Sequence, residues 1–162
     1  MNAESKLKEL GIEIQPATRP VGSYSTAVQV GELVFLSGIG AASLPGVKTQ
    51  GRIGESLTVE DGYLAARAAA VNLLANLKGF LGDLDRGMTC IKMTGYVNCI
   101  PAFTQQAEVI NGATDLLIEF FGERGKPARV AIGVASLPFG IPIEIDLIVA
   151  VDEKQPQGGI KT

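Results

Sequence analysis

Apolar residues recur at helical spacing in two stretches of the chain. The first runs from Thr58 to about Gly82 and the second from about Thr104 to Phe121. Asp61 lies three residues after Thr58, an arrangement close to the capping box that begins many helices. The apolar stripes are Leu64, Ala68, Val71, Leu74 and Leu81 in the first stretch, and Val109, Ile110, Ala113, Leu117 and Phe120 in the second. Both stretches are therefore predicted to be amphipathic helices. A third, shorter helix is predicted over Asn2–Leu10.

Alternation of apolar and polar residues predicts the strands. Thr26–Val30 and Leu33–Gly38 are joined by Gly31-Glu32, which is typical of a tight hairpin. Residues 88–99 alternate as a strand with one buried face. The side chains expected on that face are Ile91, Met93, Gly95 and Val97. A short half-buried strand is also expected over residues 12–15, and an irregular loop over residues 41–55.

The pattern in the last part of the chain predicts a long hairpin. Arg129–Ser136 is predicted to pair with Ile141–Val151 through the turn at residues 137–140. The predicted order is thus β-β-β-α-β-α-β-β, within a single domain over residues 1–162. This order favours an α+β fold, in which a mixed sheet carries the two long helices on one face. The face without helices is expected to meet an identical subunit.

Composition narrows the chemistry that the chain can perform. The chain has 162 residues, of which 46% are apolar and 19% charged, so a disordered chain is excluded. It contains no histidine, which excludes serine–histidine, cysteine–histidine and paired-histidine zinc sites. The two cysteines, Cys90 and Cys99, are too few for a disulfide framework and are predicted to be small buried side chains.

Charge and hydropathy bear on partners and location. The net charge of −3 gives no electrostatic reason to bind nucleic acid. No signal peptide or membrane-spanning segment is evident, so a cytoplasmic protein is expected. Neither a metal nor another cofactor is expected.

Two charged residues interrupt apolar stretches near the end of the chain. Arg129 opens the run Val130–Ala135, and Glu144 interrupts Ile141–Ile145. Arginine is well suited to hold a planar carboxylate, and a glutamate in apolar surroundings can activate water. A purely structural role for Arg129 and Glu144 stays open, because charged residues in such positions often only occupy the solvent-exposed face of a strand. In the predicted hairpin, Arg129 and Glu144 would be about 16 Å apart. We therefore expect Arg129 of one subunit to meet Glu144 of its neighbour.

The same region carries a resemblance to a known family. The segments Pro127–Pro138 and Ile143–Asp146 resemble the C-terminal signature of the reactive intermediate deaminase family, also called RidA/YjgF or endoribonuclease L-PSP-like. The resemblance continues in Gly22-Ser23-Tyr24, in Leu33–Gly38 and in residues 66–72, and covers roughly residues 20–152. It implies the chorismate-mutase-like α+β fold and a homotrimer with ligand clefts between subunits.

The resemblance also implies roles for particular residues. Arg129 matches the arginine that holds the substrate carboxylate, and Glu144 matches the glutamate that positions water. Tyr24, Ser37 and Asn111 match the other side chains around the ligand, and the backbone near Ser37 and Gly38 is expected to orient it. The sequence departs from the family at Ala131, where a cysteine is common, and at Ser23, where a proline is common. The segment between Ser37 and the first long helix is also longer than usual.

These observations lead to one favoured function and two alternatives. The favoured function is hydrolysis of a 2-imino acid, or its enamine tautomer, to a 2-oxo acid and ammonia. The first alternative is a non-catalytic trimer that binds small carboxylates as a sensor or scavenger, which Ala131 and the changed tyrosine turn favour. The second is the ribonuclease or translation-inhibitor activity implied by the family's older name. The negative charge, the missing histidine and the aromatic content of only 6% oppose it.

Overall fold

The computed structural model describes residues 2–152, which form three α-helices and five β-strands around one sheet. The helices are α1 (Ala3–Glu9), α2 (Val59–Leu81) and α3 (Gln106–Phe121). The strands are β1 (Ala27–Val30), β2 (Leu33–Ile39), β3 (Met88–Asn98), β4 (Ala128–Val134) and β5 (Ile143–Val151). The α+β class and both long helices are thus confirmed, as are the short first helix and the β1–β2 hairpin.

The start of α2 shows why the sequence places a helix there. The Thr58 N–H donates to Asp61 Oδ2 at 2.9 Å, and the Asp61 N–H donates to Thr58 Oγ1 at 3.1 Å. This reciprocal pair satisfies two backbone N–H groups at the helix start that the helix itself leaves unpaired. The capping interaction predicted from residues 58 and 61 is therefore confirmed.

The strand order corrects the hairpin predicted at the end of the chain. The sheet runs β1-β2-β5-β3-β4, so β3 lies between β4 and β5. β4 pairs with β3 in parallel, whereas β5 pairs antiparallel with both β2 and β3. The short connection between β4 and β5 suggested direct pairing. The burial pattern explains the observed order, because the inward residues of β5 need neighbours on both sides and β4 is more exposed.

Two smaller predictions are also wrong. Residues 12–15 form no strand; Ile12 and Ile14 pack against the core without joining the sheet. Ile91 is 41% exposed, because the β3–β5 register shifts between Cys90 and Lys92. Such a bulge inverts the alternation, so Cys90 rather than Ile91 shares the buried face with Met93.

The two faces of the sheet differ in what covers them. The long helices cover one face, where residues such as Val34, Met93 and Leu147 are fully buried. On the other face Val28, Val30, Leu33, Phe35 and Ile132 are each between 37% and 67% exposed. Within residues 2–152 no helix covers this second face, as the sequence predicts for the arrangement of helices.

Both cysteines lie in the interior. Cys90 is 3% exposed and Cys99 is 5% exposed, which confirms that they are buried side chains. Burial raises the pKa of the Cys90 thiol to about 12. A thiol in this state does not ionise near neutral pH and is not a nucleophile.

Candidate functional site

Glu144 projects from β5 at an irregular point of the sheet. It pairs with Tyr96 of β3 on the face that the helices leave open. On the other side of β5, the register with β2 shifts between Leu36 and Ile39, where Ser37 and Gly38 form a bulge. The Glu144 side chain lies against Gly38, so closely that a Cβ at residue 38 would be 2.1 Å from Glu144 Oε1. The bulge therefore fixes where this carboxylate sits.

The carboxylate opens into a cleft of about 850 Å³. Four of the residues predicted for the site line this cleft, namely Tyr24, Ser37, Gly38 and Glu144. Ser37 links β2 to the residues just before β1. Its hydroxyl donates to the Ser25 carbonyl at 2.6 Å, and its N–H donates to the Thr26 carbonyl at 3.0 Å. Tyr24 is half-exposed. The lining is otherwise formed by Thr18, Arg19, Val21, Gly22, Thr26, Ile39, Gly40, Ala41, Asn72, Asn76, Pro138, Phe139 and Ile141.

The surroundings of Glu144 favour its protonated form. Burial is the main cause of the raised pKa of this carboxyl, and the negative charge of Asp146 adds to it. A carboxylate with a raised pKa is a stronger base once ionised. Glu144 is thus suited to accept a proton from water in the cleft.

Replacing Gly38 by alanine is expected to displace Glu144 while leaving the fold intact. The new methyl group would overlap the end of a flexible side chain rather than backbone, so Glu144 can rotate away. We expect the free energy of unfolding to change by less than about 1 kcal/mol. We expect any Glu144-dependent turnover to fall about tenfold or more. Chemical denaturation and steady-state kinetics of G38A test both parts; unchanged turnover would contradict the placement of Glu144.

Arg129 lies on the edge strand β4 and points toward α3. Its Nη1 donates to Asn111 Oδ1 at 2.9 Å and to Thr114 Oγ1 at 3.0 Å, and its Nη2 donates to the Ala107 carbonyl at 3.3 Å. Partial burial lowers the pKa of the guanidinium, while Asp115 nearby raises it. Arginine nevertheless stays charged. The predicted site residues Arg129 and Asn111 therefore contact each other, at a place outside the cleft.

Within one chain, Arg129 and Glu144 do not meet. Arg129 pairs with Met93 on the helix-covered face, whereas Glu144 pairs with Tyr96 on the open face. They are two strands apart, about 10 Å across the sheet, and three residue positions apart, about 10 Å along it. The hairpin geometry from which a separation was predicted is wrong. The structure still keeps the two groups apart, so their meeting across subunits stays a prediction.

Among the cleft residues that sequence reasoning missed, three carry distinctive features. Arg19 and Asn76 line the cleft but belong to no motif that marks them. Phe139 also lines it, is 74% exposed and has φ +59°, a backbone conformation that L-residues with bulky side chains rarely adopt. The sequence Leu137-Pro138-Phe139-Gly140 signals a turn but not this conformation.

Residues 2–152 hold no group of three or more carboxylate or cysteine side chains that could bind a metal ion. Among the same residues, no helix combines the length and apolar character that crossing a membrane requires.

The geometry defines a class of protein in which one mixed sheet carries two helices on one face and a cleft beside a bulged strand. The chain belongs to the YjgF family: the model described as "YjgF/chorismate mutase-like, putative endoribonuclease" matches residues 4–148. The resemblance found in residues 20–152 is thereby confirmed.

Two relatives of the chain carry different names, and only one of the two names states an activity. The chain is 40% identical over 149 residues to Protein TCP17 of Trypanosoma cruzi, covering 91% of this chain and 93% of that protein. It is 31% identical over 137 residues to the 2-iminobutanoate/2-iminopropanoate deaminase of Dermatophagoides farinae, covering 84% and 91%.

Solved structures differ in how closely they superpose. The protein Atu1372 of Agrobacterium tumefaciens, of unknown function, gives a TM-score of 0.84 at 38% identity, with 93% of this chain and 92% of that chain covered. RidA of an Antarctic Psychrobacter gives 0.56 at 26% identity, with 85% and 97% covered. The fold of the described residues is thus shared with both, and more fully with the first.

Proposed function

We propose that the protein hydrolyses 2-imino acids, or their enamine tautomers, to 2-oxo acids and ammonia. The observation that carries the proposal is the Glu144 carboxylate, with its raised pKa, held against Gly38 in a cleft that Tyr24 and Ser37 also line. The deaminase name of a relative with 31% identity supports the same reaction class.

The proposed reaction needs only placement and proton transfer. The Arg129 guanidinium holds the substrate carboxylate with two parallel hydrogen bonds. Glu144 takes a proton from water as the water oxygen bonds to the electrophilic carbon of the protonated imine. The amino group of the resulting carbinolamine then accepts that proton, the C–N bond breaks, and ammonia leaves. The departing ammonia takes the hydroxyl proton and leaves as ammonium, which gives the 2-oxo acid with no change in redox state.

We propose that the complete site forms between subunits of a homotrimer. A small ligand cannot contact Arg129 and Glu144 of one chain, because they lie on opposite faces of the sheet. The exposed apolar side chains on the open face, such as Val30 and Phe35, give a second reason for association. The number three comes from the family resemblance. The cytoplasmic location and the lack of a nucleic-acid partner, both inferred from composition, stay predictions.

The direct test generates an imine in place with an amino acid oxidase and follows its loss. Semicarbazide traps the free imine, so a deaminase lowers the amount trapped and speeds the release of ammonia. We expect acceleration by the wild-type protein and its loss in Glu144→Gln, which keeps the shape of the side chain but cannot accept the proton. The absence of any acceleration by the wild-type protein would refute the proposal.

The pH dependence of this acceleration gives a further prediction. The base form of Glu144 is the ionised one, and its pKa is raised. We therefore expect kcat/KM to fall as the pH drops through a pKa above the ordinary glutamate value. The enzyme-dependent rate should be measured above the uncatalysed rate at each pH. A wild-type profile that is flat through the weakly acidic range would contradict the role of Glu144 as a base.

The non-catalytic alternative keeps a specific observation in its favour. Ala131, where the family commonly has cysteine, lies half-buried on β4 two residues after Arg129. Calorimetry with 2-oxo acids separates the two functions, since a sensor or scavenger would bind them and show no turnover.

A further inference from the structure

One wall of the cleft is fixed by an unusual contact between an irregular segment and the middle of α2. Asn76 Oδ1 accepts hydrogen bonds from the Thr18 N–H at 2.9 Å and from Thr18 Oγ1 at 3.0 Å. The segment before β1 has no helix or strand to hold it after α1. These two hydrogen bonds therefore fix the backbone next to Arg19 at the cleft.

Arg19 brings a positive charge to this wall. Among the residues that line the cleft, Arg19 is the basic one and Glu144 the acidic one. Within residues 2–152 no carboxylate lies within ion-pairing distance of Arg19, and its side chain donates no hydrogen bond. An arginine that lines a cleft without a partner has its hydrogen-bond donors free for an anionic ligand.

Asn76 supplies an independent observation that points to a ligand. The residue is only 3% exposed and lines the cleft. Its Oδ1 is used by Thr18, which leaves the amide nitrogen as a donor that finds no acceptor within residues 2–152. Among the described residues, only Arg86 Nε is a fully enclosed side-chain polar atom without a partner, so the Asn76 nitrogen is accessible from the cleft. It can therefore donate to an acceptor supplied from outside the chain. Asn72, one turn earlier, instead uses its amide nitrogen on the Gly40 carbonyl at 3.0 Å.

We propose that Arg19 and Asn76 form a subsite for a second anionic group, so that the preferred ligands are dicarboxylic 2-imino and 2-oxo acids. This inference rests on the proposed function, in which Arg129 of a neighbouring subunit holds the first carboxylate. The cleft, of about 850 Å³, has room for more than a four-carbon acid. Glu144 repels a carboxylate placed beside it, whereas Arg19 attracts one.

The test compares two 2-oxo acids of equal chain length, 2-oxopentanoate and 2-oxoglutarate, which differ by the second carboxylate. Calorimetry on the wild-type protein is expected to show at least about tenfold tighter binding of the dicarboxylate. Arg19→Gln should remove this preference and leave binding of the monocarboxylate unchanged within about twofold. Arg124→Gln, which changes an arginine outside the cleft, is the matched control and should keep it.

Asn76→Asp isolates the amide nitrogen. It keeps the oxygen that accepts from Thr18 and replaces the donor by a negatively charged acceptor. We expect it to weaken binding of 2-oxoglutarate about tenfold or more while binding of 2-oxopentanoate persists. Equal loss for both acids would overturn the role of Asn76 as a side-chain subsite.

The outcomes separate this inference from the proposed reaction. Equal wild-type affinity for the two acids, or no binding of either, would overturn the subsite. Equal loss of both in Arg19→Gln would overturn it too, because Arg19 would then hold the carboxylate that all substrates share. A dicarboxylate preference that depends on Arg19, together with no imine hydrolysis, would support the subsite and refute the deaminase proposal.

Discussion

Replacing Arg129 by alanine is expected to abolish the acceleration of imine hydrolysis, with kcat/KM falling at least about a hundredfold. In the proposed site the guanidinium is the anchor for the substrate carboxylate. Without it the imine carbon is no longer held where the water beside Glu144 can reach it. Ammonia release from an imine generated by an amino acid oxidase measures the loss.

The conservative variant Arg129→Lys distinguishes charge from geometry. Lysine keeps the positive charge but lacks the planar fork that binds both carboxylate oxygens. We expect it to retain part of the activity, well above that of R129A. The alanine change also removes the hydrogen bonds to Asn111 and Thr114, so unfolding by denaturant must show that the fold survives. Wild-type rates in a folded R129A protein would rule out the proposed role.

The parts of the fold that the sequence predicts are those set by local patterns. The capping pair Thr58–Asp61 predicts the start of α2, and the two residues Gly31-Glu32 predict the first hairpin. The alternating apolar residues of β5 predict its buried face correctly. Each of these features depends on neighbours only a few residues away in the sequence.

The strand order could not be read in the same way. Pairing depends on which strand satisfies the hydrogen bonds of a distant one, and the distance along the chain between β4 and β5 gave the wrong partner. The exposure of Ile91 has the same origin, because a bulge that inverts alternation depends on the register with β5. Long-range pairing is a property of the whole sheet rather than of a segment.

The residues of the candidate site can likewise be predicted from the sequence only in part. Tyr24, Ser37, Gly38 and Glu144 could be named from the family resemblance, and the structure brings them to one cleft. That resemblance could not find Arg19 or Asn76, which meet only because an irregular segment folds onto α2. The residues proposed to set specificity are therefore the ones that only the coordinates reveal.

Mixing two inactive variants tests where the complete site lies. If Arg129 of one subunit and Glu144 of the next form one site, then an oligomer made only of R129A chains, or only of E144Q chains, has no intact site. In a mixed oligomer, some interfaces combine an intact Arg129 from one variant with an intact Glu144 from the other. Random assembly of equal amounts in a cyclic trimer restores about one quarter of the sites. We expect coexpression of the two variants to restore activity to that level.

The matched control coexpresses R129A with the double variant R129A/E144Q, because no arrangement of those chains contains an intact pair. It should stay inactive. Gel filtration must show the same oligomer size in both preparations, so that activity reports the composition of the sites and not the extent of assembly. If the mixture of the two single variants has the correct size but stays inactive, Arg129 and Glu144 do not act together across subunits. The opposite-face geometry of Arg129 and Glu144 excludes shared contact with one small ligand within a chain. Failure to restore activity would therefore overturn the proposed site between subunits.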